Sequence, residues 1–366
     1  MKRRYFSFVA VTVLVLAACG ADGSESTSTT TATSTTQDAE RSTTTPSPSL
    51  QGELLSYSLE DGTTFSYQVD LNQQIEMSAS GDASAMGDEG IPGEATIDIS
   101  GSATFTHTVS DGPEPGTFEV NIKGIFEDLS VTGTVDGESV DEAPEFAEME
   151  PIDVTFLIDD QGNLIFEDEG FDDPYGGALG GLGSFGSGSA PGLDPGQFVW
   201  PPFPDEEVSV GDTWTDETET LLLGDDPVVT STTSTIVDVD QINGVDVLVI
   251  ETQSSTSLIE IDLGELFIGL FTAFMPEDPS DEDQAELQTM LDQLKFTISV
   301  DDTRSDSTTW FDPEAGIALQ SDVDVSATIL MDINVPDETT GELVGLQMDM
   351  AMSQQISYQL LDSPGA

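Results

Sequence analysis

From residue 52 onward, apolar and polar positions alternate along the chain. Phe65, Tyr67, Val69 and Leu71 keep a period of two, as do Ile97, Ile99, Ala103 and Phe105, and then Phe118, Val120 and Ile122. A half-buried antiparallel strand needs this pattern, with one face inward and the other presenting Thr, Ser, Asp and Glu to water. Turn signals separate the runs at Asp61-Gly62, Asp111-Gly112-Pro113, Asp136-Gly137 and Asp160-Gln161-Gly162-Asn163. Residues 51–169 therefore read as a first lobe built as an antiparallel meander.

The pattern breaks at 170–200. Residues 170–196, GFDDPYGGALGGLGSFGSGSAPGLDPG, are too glycine-rich for a stable helix or a packed strand. Apolar side chains, Phe185 among them, are nevertheless scattered through them, so the stretch is either a flexible connector or a flap that closes over a cavity. The second lobe, 201–366, opens with a proline-rich entry and a strand ending near Thr215. Thr235 to Val239 and Val245 to Ile250 flank Asn243-Gly244, the pair a tight hairpin turn with two positive φ angles requires. Ser280 and Asp283, followed by Ala285, Leu287, Met290, Leu291 and Leu294, predict an amphipathic helix near 281–294. Leu263 to Met275 is apolar on all sides, hence either a buried segment or the lip of a pocket. Long strands follow at Phe296 to Val300, Ser307 to Phe311, Ile317 to Val335 in pieces, and Leu343 to Leu360.

The two lobes echo one another. Gly62-Thr63-Thr64-Phe65 opens the first and Gly211-Asp212-Thr213-Trp214 the second. Near their far ends, Phe156-Leu157-Ile158-Asp159-Asp160-Gln161-Gly162-Asn163-Leu164 parallels Trp310-Phe311-Asp312-Pro313-Glu314-Ala315-Gly316-Ile317. The expected fold is mostly β: two pseudo-repeated antiparallel curved sheets, half-barrel-like, with one or two helices in the second lobe. The segments from Pro204 to Trp214 and from Trp310 to Gly316 also resemble a recurring domain of bacterial envelope lipoproteins. That resemblance implies an architecture similar to periplasmic lipoprotein carriers and mycobacterial lipid-binding lipoproteins, whose concave sheet shelters acyl chains. The side chains expected to meet such a ligand are Leu263, Leu266, Phe267, Phe271, Phe274, Phe185, Trp214 and Trp310.

The first twenty residues, MKRRYFSFVAVTVLVLAACG, set the address. Lys2, Arg3 and Arg4 precede a short apolar run and a small-residue cleavage site, the form of a secretory signal. The run is shorter than the roughly 20 residues a membrane span needs. Leu16-Ala17-Ala18-Cys19-Gly20 resembles the bacterial lipoprotein lipobox, which implies removal of residues 1–18, a diacylglyceryl group on the Cys19 thiol and an acylated new amino terminus. Cys19 is the only cysteine in 366 residues. Residues 19–50, nearly all Ser, Thr, Ala, Asp and Pro after the cysteine, cannot form a core and read as a disordered tether. The expected location is extracytoplasmic, anchored to the cell membrane through lipid.

Charge narrows the partners. Acidic residues number 71 against 7 basic, a formal charge of -64, and loss of the leader leaves Arg41, Lys123, Lys295 and Arg304 as the only cations. Such a field repels phosphate backbones and anionic headgroups, which excludes nucleic acid and leaves membrane attachment to the lipid. Chemistry has little to work with. His107 is the sole histidine; it falls in register with Ala103, Phe105 and Val109 and reads as a core residue. No cofactor is expected, no Cys-His pair or nucleophile elbow exists, and the protein reads as no enzyme. Calcium, held weakly by Asp159-Asp160 with Asn163, by Asp238 with Asp240, or by Glu277-Asp278 with Asp281, is the one ion the sequence admits. The functional expectation is a β domain that binds an apolar or amphiphilic ligand; the alternative is a non-enzymatic module contacting an envelope protein or polysaccharide. Self-repulsion of this size is screened by salt, so the melting temperature should rise from low to high ionic strength. A flat profile in thermal unfolding across added NaCl would contradict a folded acidic surface.

Overall fold

A computed structural model describes residues 52, 54–57, 59–81, 93–141, 152–165, 200–220, 228–262, 295–336 and 343–362. The described strands run in chain order as β1 (Thr64–Gly81), β2 (Glu94–Asp111), β3 (Thr117–Phe126), β4 (Ser130–Val135), β5 (Glu138–Asp141), β6 (Ile152–Asp159) and β7 (Leu164–Ile165). The second half supplies β8 (Thr213–Thr220), β9 (Val228–Ile242), β10 (Val245–Thr256), β11 (Ile259–Asp262), β12 (Lys295–Asp312), β13 (Ile317–Pro336) and β14 (Leu343–Asp362). Every pairing is antiparallel, and all fourteen strands belong to one sheet with the path β7-β6-β3-β2-β1-β14-β13-β12-β10-β9-β8.

The expected pair of sheets is thus corrected to a single one. The joint is the β1–β14 ladder, in register from Tyr67↔Leu360 to Gly81↔Leu346, with a register shift between Ser66 and Tyr67. Apart from Gln73 and Gln354 the inward sets, odd-numbered in β1 and even-numbered in β14, are largely apolar; they fall on the same face and fuse the lobes. Among the described residues there is no helix; the helix expected near 281–294 lies outside them, as does the 170–199 stretch. Ser307 to Phe311 and Phe296 to Val300 belong to one 18-residue strand, and Ile317 to Val335 to one of 20 residues. Both glycine hairpins form as expected: Asp136-Gly137 has φ 50° and 78°, and Asn243-Gly244 has 53° and 88°.

The internal repeat is present in hydrogen bonds. Gly62 N–H donates to Val109 C=O at 2.9 Å and Val109 N–H to Thr63 C=O at 2.9 Å; Gly211 and Ile236 repeat this, with Ile236 N–H donating to Asp212 C=O, at 2.7 and 3.2 Å. Asp159 Oδ1 accepts the Gln161 and Asn163 N–H groups, and Asp312 Oδ1 accepts those of Glu314 and Ala315. The units are β1-β2-β3-β6-β7 and β8-β9-β10-β12-β13, with β14 inserted where they meet.

The sheet is rolled, because its two ends meet the same peptide group. Pro202 C=O accepts the Trp214 indole N–H of β8 at 2.9 Å, while Phe203 N–H donates to Gln161 C=O in the β6–β7 turn at 2.8 Å. No strand pairing joins β7 to β8. An aromatic core fills this end: Tyr57 packs on Trp200, Phe203 and Phe311 at centroid distances of 5.1, 5.1 and 5.5 Å, and its hydroxyl donates to Pro201 C=O at 2.9 Å. Gly162, at φ 85°, closes the β6–β7 turn under the Tyr57 ring, where an added Cβ would lie 2.4 Å from a ring carbon. The far half of the buried face is aliphatic and methionine-rich, with Ile75, Ile97, Ile298, Val300, Ile329, Met350 and Met352 in one cluster and Met77, Leu346 and Met348 in another.

Trp214→Phe leaves the buried Pro202 carbonyl unmet, which costs about 1–3 kcal/mol. Trp310, half-buried on the opposite face, has no such task, so Trp310→Phe should cost less than about 1 kcal/mol. Urea unfolding of the two variants should show that order; the reverse would contradict the bridge.

Candidate functional site

Strand register brings together a set of polar side chains that no motif marks. Following the pairings across the sheet at one level gives Gln73↔Gln354, Gln354↔Val325, Val325↔Ser305, Ser305↔Ser254, Ser254↔Thr232 and Thr232↔Asp216. All seven point to the buried face, and six are polar. Gln73, Gln354, Ser305, Ser254, Thr232 and Asp216 are each no more than 9% exposed. Carried along the register of the rolled sheet, these residues form a polar row, the girdle, on the buried face between the aromatic core and the methionine-rich half. Thr230, Ser234, Thr303, Thr309 and Ser321 thicken it on either side, all of them buried.

Buried polar groups normally find partners, and most of the girdle does. Thr232 and Ser254 hydroxyls lie 2.9 Å apart, Ser234 and Thr252 2.9 Å, and Thr309 and Ser321 3.1 Å. Thr218 Oγ1 donates to Asp216 Oδ2 at 3.4 Å, and Gln73 Nε2 donates to Met352 Sδ at 3.1 Å. Gln354 Oε1 is buried and has no hydrogen-bond partner. The girdle thus holds a carboxylate, paired hydroxyls that can turn to donate or accept, and one unmet amide oxygen. Two cations whose side chains are described lie elsewhere: Lys123 pairs with Asp153 at 3.1 Å and Arg304 with Asp306 at 2.8 Å, both exposed.

The fold does not force these polar side chains. Superimposing Phe65 on Trp214 places Tyr67 where Asp216 stands, since Phe65 opposes His107 and Trp214 opposes Ser234 in the same geometry. The facing position holds Phe105 in the first unit and Thr232 in the second; the next pair is Val69 with Ala103 in the first, Thr218 with Thr230 in the second. One copy of the duplicated scaffold is apolar and the other polar at matching inward positions.

The residues expected to bind ligand are dispersed. Trp214 is 3% exposed and belongs to the aromatic core, fixed by Pro202. Trp310 opposes Gln320 on the exposed face. Leu263, Leu266, Phe267, Phe271, Phe274, Phe185 and Cys19 lie outside the described residues. Asp159, a calcium candidate, has its carboxylate engaged by Gln161, Asn163 N–H and Asn163 Nδ2 within its own turn; Asp238 and Asp240 each accept the following residue's N–H. Among the described residues no three His, Cys, Asp or Glu side chains are grouped to hold a metal ion. The signal that could have found the girdle is the run Val228 to Val237, VVTSTTSTIV, hydroxyl-rich and free of acids in a chain full of them.

Two recesses open on the described surface. One, of about 320 Å³, sits on the far rim between Ser80, Gly81, Asn334, Gly345, Leu346 and Gln347; the other, of about 160 Å³, lies among Glu251, Gln253, Asp306, Thr308, Asp322 and Asp324. The rim recess lies on the exposed face, among Ser80, Asp332, Asn334, Gly345 and Gln347, and shares only Leu346 with the methionine cluster.

No family model matches the chain, and no curated protein sequence does. Among solved structures, an outer membrane channel from Pseudomonas putida F1 is 10% identical over 82% of this chain and 97% of that one, with a TM-score of 0.16. OpdQ of Pseudomonas aeruginosa is 9% identical over 81% and 97%, with a TM-score of 0.17. Scores this low carry no structural or functional inference. The exposed face of the sheet carries Asp70, Glu76, Asp98, Asp322, Asp324 and Asp349, whereas a membrane-spanning barrel turns an apolar band outward. This face is a water face.

His107 is 2% exposed, stacked on Phe65 at 5.2 Å and edge-on to Tyr67 at 5.0 Å, with Nδ1 lacking a partner. Burial among aromatic rings holds its pKa down at about 3, against 6.5 when unfolded. The neutral ring's contribution is complete above pH 6.5, shrinks as pH falls because the unfolded chain binds the proton first, and is gone by about pH 3. Relative to His107→Leu, the wild type should lose roughly 1.4 kcal/mol per pH unit across that window. Urea unfolding of both proteins at pH 7 and pH 4 reads the gap, and a constant gap would show that the imidazole is not held neutral.

Proposed function

We propose that the protein is a lipid-anchored extracytoplasmic lipoprotein whose rolled sheet binds an amphiphile, its polar head at the girdle and its apolar tail along the methionine-rich half. The observation that carries this reading is the two-toned buried face: a polar row with an unmet amide oxygen, directly beside Met77, Met331, Met348, Met350 and Met352. Methionines present a soft surface that adapts to varied apolar shapes. The leader with Cys19 supports the anchor, and the charge of -64 supports attachment by lipid in place of charge.

A second reading, an interaction module without ligand, is favoured by the aromatic core, which is packed solid at the bridged end. The two are separated by native mass spectrometry with lipid extraction on full-length protein purified gently from its host membranes. A stoichiometric amphiphile is expected to accompany it, and Cys19→Ser is expected to abolish incorporation of a labelled fatty acid and release the protein from membranes. Empty protein that takes up no added amphiphile would leave the interaction module, and a membrane-bound Cys19→Ser variant would remove the lipid anchor.

A further inference from the structure

We infer that the head accepted by the girdle is uncharged and donates hydrogen bonds, as a glycerol or other polyol head does, and that carboxylate and phosphate heads are rejected. The inference rests on the amphiphile reading and specifies the ligand class for the same site. Its starting point is Gln354. The residue is 7% exposed, stands on β14 between Met352 and Ile356, and faces Gln73 and Val325 across its two ladders. Its amide oxygen, buried without a partner, calls for a donor.

The same level supplies further polar groups. Ser305, Ser254 and Thr232 carry hydroxyls that donate or accept as needed, whereas the Asp216 carboxylate at the end of the row only accepts. A head bearing hydroxyls can donate to Gln354 Oε1, whereas a carboxylate or phosphate brings it only acceptors. Among the described side chains such an anion also meets no countercharge, because Lys123 and Arg304 are both on the exposed surface. The whole-chain charge of -64 opposes the approach of an anion before it reaches the roll.

The matching positions in the first unit show what the fold places here when no head is to be met: Tyr67, Phe105, Val69 and Ala103 pack as core. Beside the polar set of the second unit, Gln354 on the inserted strand β14 adds an acceptor without a partner. An unmet buried acceptor costs stability, and a donor that reaches it recovers that cost.

The test uses the full chain carrying Cys19→Ser, so that its own acyl groups do not compete, and three probes with the same twelve-carbon tail below their micellar concentrations: monolauroylglycerol, laurate and dodecyltrimethylammonium. Calorimetric titration should show monolauroylglycerol binding at least about tenfold tighter than either charged probe, laurate because it is an anion and dodecyltrimethylammonium because its methylated head has no hydrogen to donate to Gln354 Oε1. Gln354→Leu should bring the three within about threefold of one another while raising the melting temperature of the empty protein, since the unmet acceptor is gone. Laurate or the ammonium probe binding as well as the glyceride, or a Gln354→Leu variant that keeps the preference or melts lower than wild type, overturns the inference. Equal binding of all three leaves the amphiphile reading standing and removes only the headgroup class. Binding of none removes both.

Discussion

One peptide group holds the molecule in its shape. The unit linking Pro202 to Phe203 receives the Trp214 indole on its carbonyl and gives its N–H to Gln161, so the two open ends of the sheet are tied across it. A sheet of this length twists and curls of its own accord, but curl alone leaves edges that recruit other strands. Here the β6–β7 turn and the start of β8 are each committed to that peptide, and Tyr57, Trp200, Phe203 and Phe311 fill the space around it. The buried face acquires an inside only because the roll is tied. Without that, a row of polar residues along one level would be a stripe on a flat sheet, and it would face water.

Duplication explains how such a roll can be built and then altered. Two units with the same opening turn and the same aspartate-anchored turn lie head to tail in the path, joined by β14. Structural requirements fall on positions that both copies share, such as Val109 and Ile236 or Ile158 and Phe311, each of them fully buried. Positions that differ in chemistry between copies are free of that requirement. Tyr67 against Asp216 and Phe105 against Thr232 are differences of this kind, and they concentrate the polarity in the second unit at the level where Gln354 and Gln73 continue it across the joint.

Much of the fold was legible because strand alternation and turn chemistry are local. Phe65 to Leu71 and Ile97 to Phe105 could be placed on strands, and Asn243-Gly244 and Asp136-Gly137 on hairpins, from a few residues each. The union of the lobes was not legible, since β1 meets β14 across nearly the whole chain and no local signal encodes that partnership. The girdle escaped for a different reason. In Thr230-Ser231-Thr232-Thr233-Ser234-Thr235 both faces carry hydroxyls, so a period-two reading cannot tell inside from outside. Thr233 and Thr235 face outward and bond Thr215 and Thr213, whereas Thr232 and Ser234 face inward. Only the register, carried from strand to strand, shows that hydroxyls from separate runs share one level. Trp214 and Trp310 misled in the same way: chemically alike, they stand on opposite faces because each answers to its own strand's parity.

Charge is distributed so that the exterior and interior are chemically independent. Carboxylates crowd the water face, where each is hydrated and their mutual repulsion is screened, while the buried level relies almost wholly on neutral hydroxyls and amides. A buried charge demands a fixed countercharge, which would tie the interior to one occupant and make the empty state costly. Hydroxyl pairs such as Thr232 with Ser254 satisfy one another when nothing else is present and can exchange partners when something is. The interior can therefore persist as a folded, self-bonded surface and still present donors and acceptors. The methionines beside it add the same tolerance in apolar form. Gln354 is the girdle's exception to this self-sufficient arrangement, and its position on β14, between the two units, places an unsatisfied oxygen where the paired hydroxyls meet the apolar half.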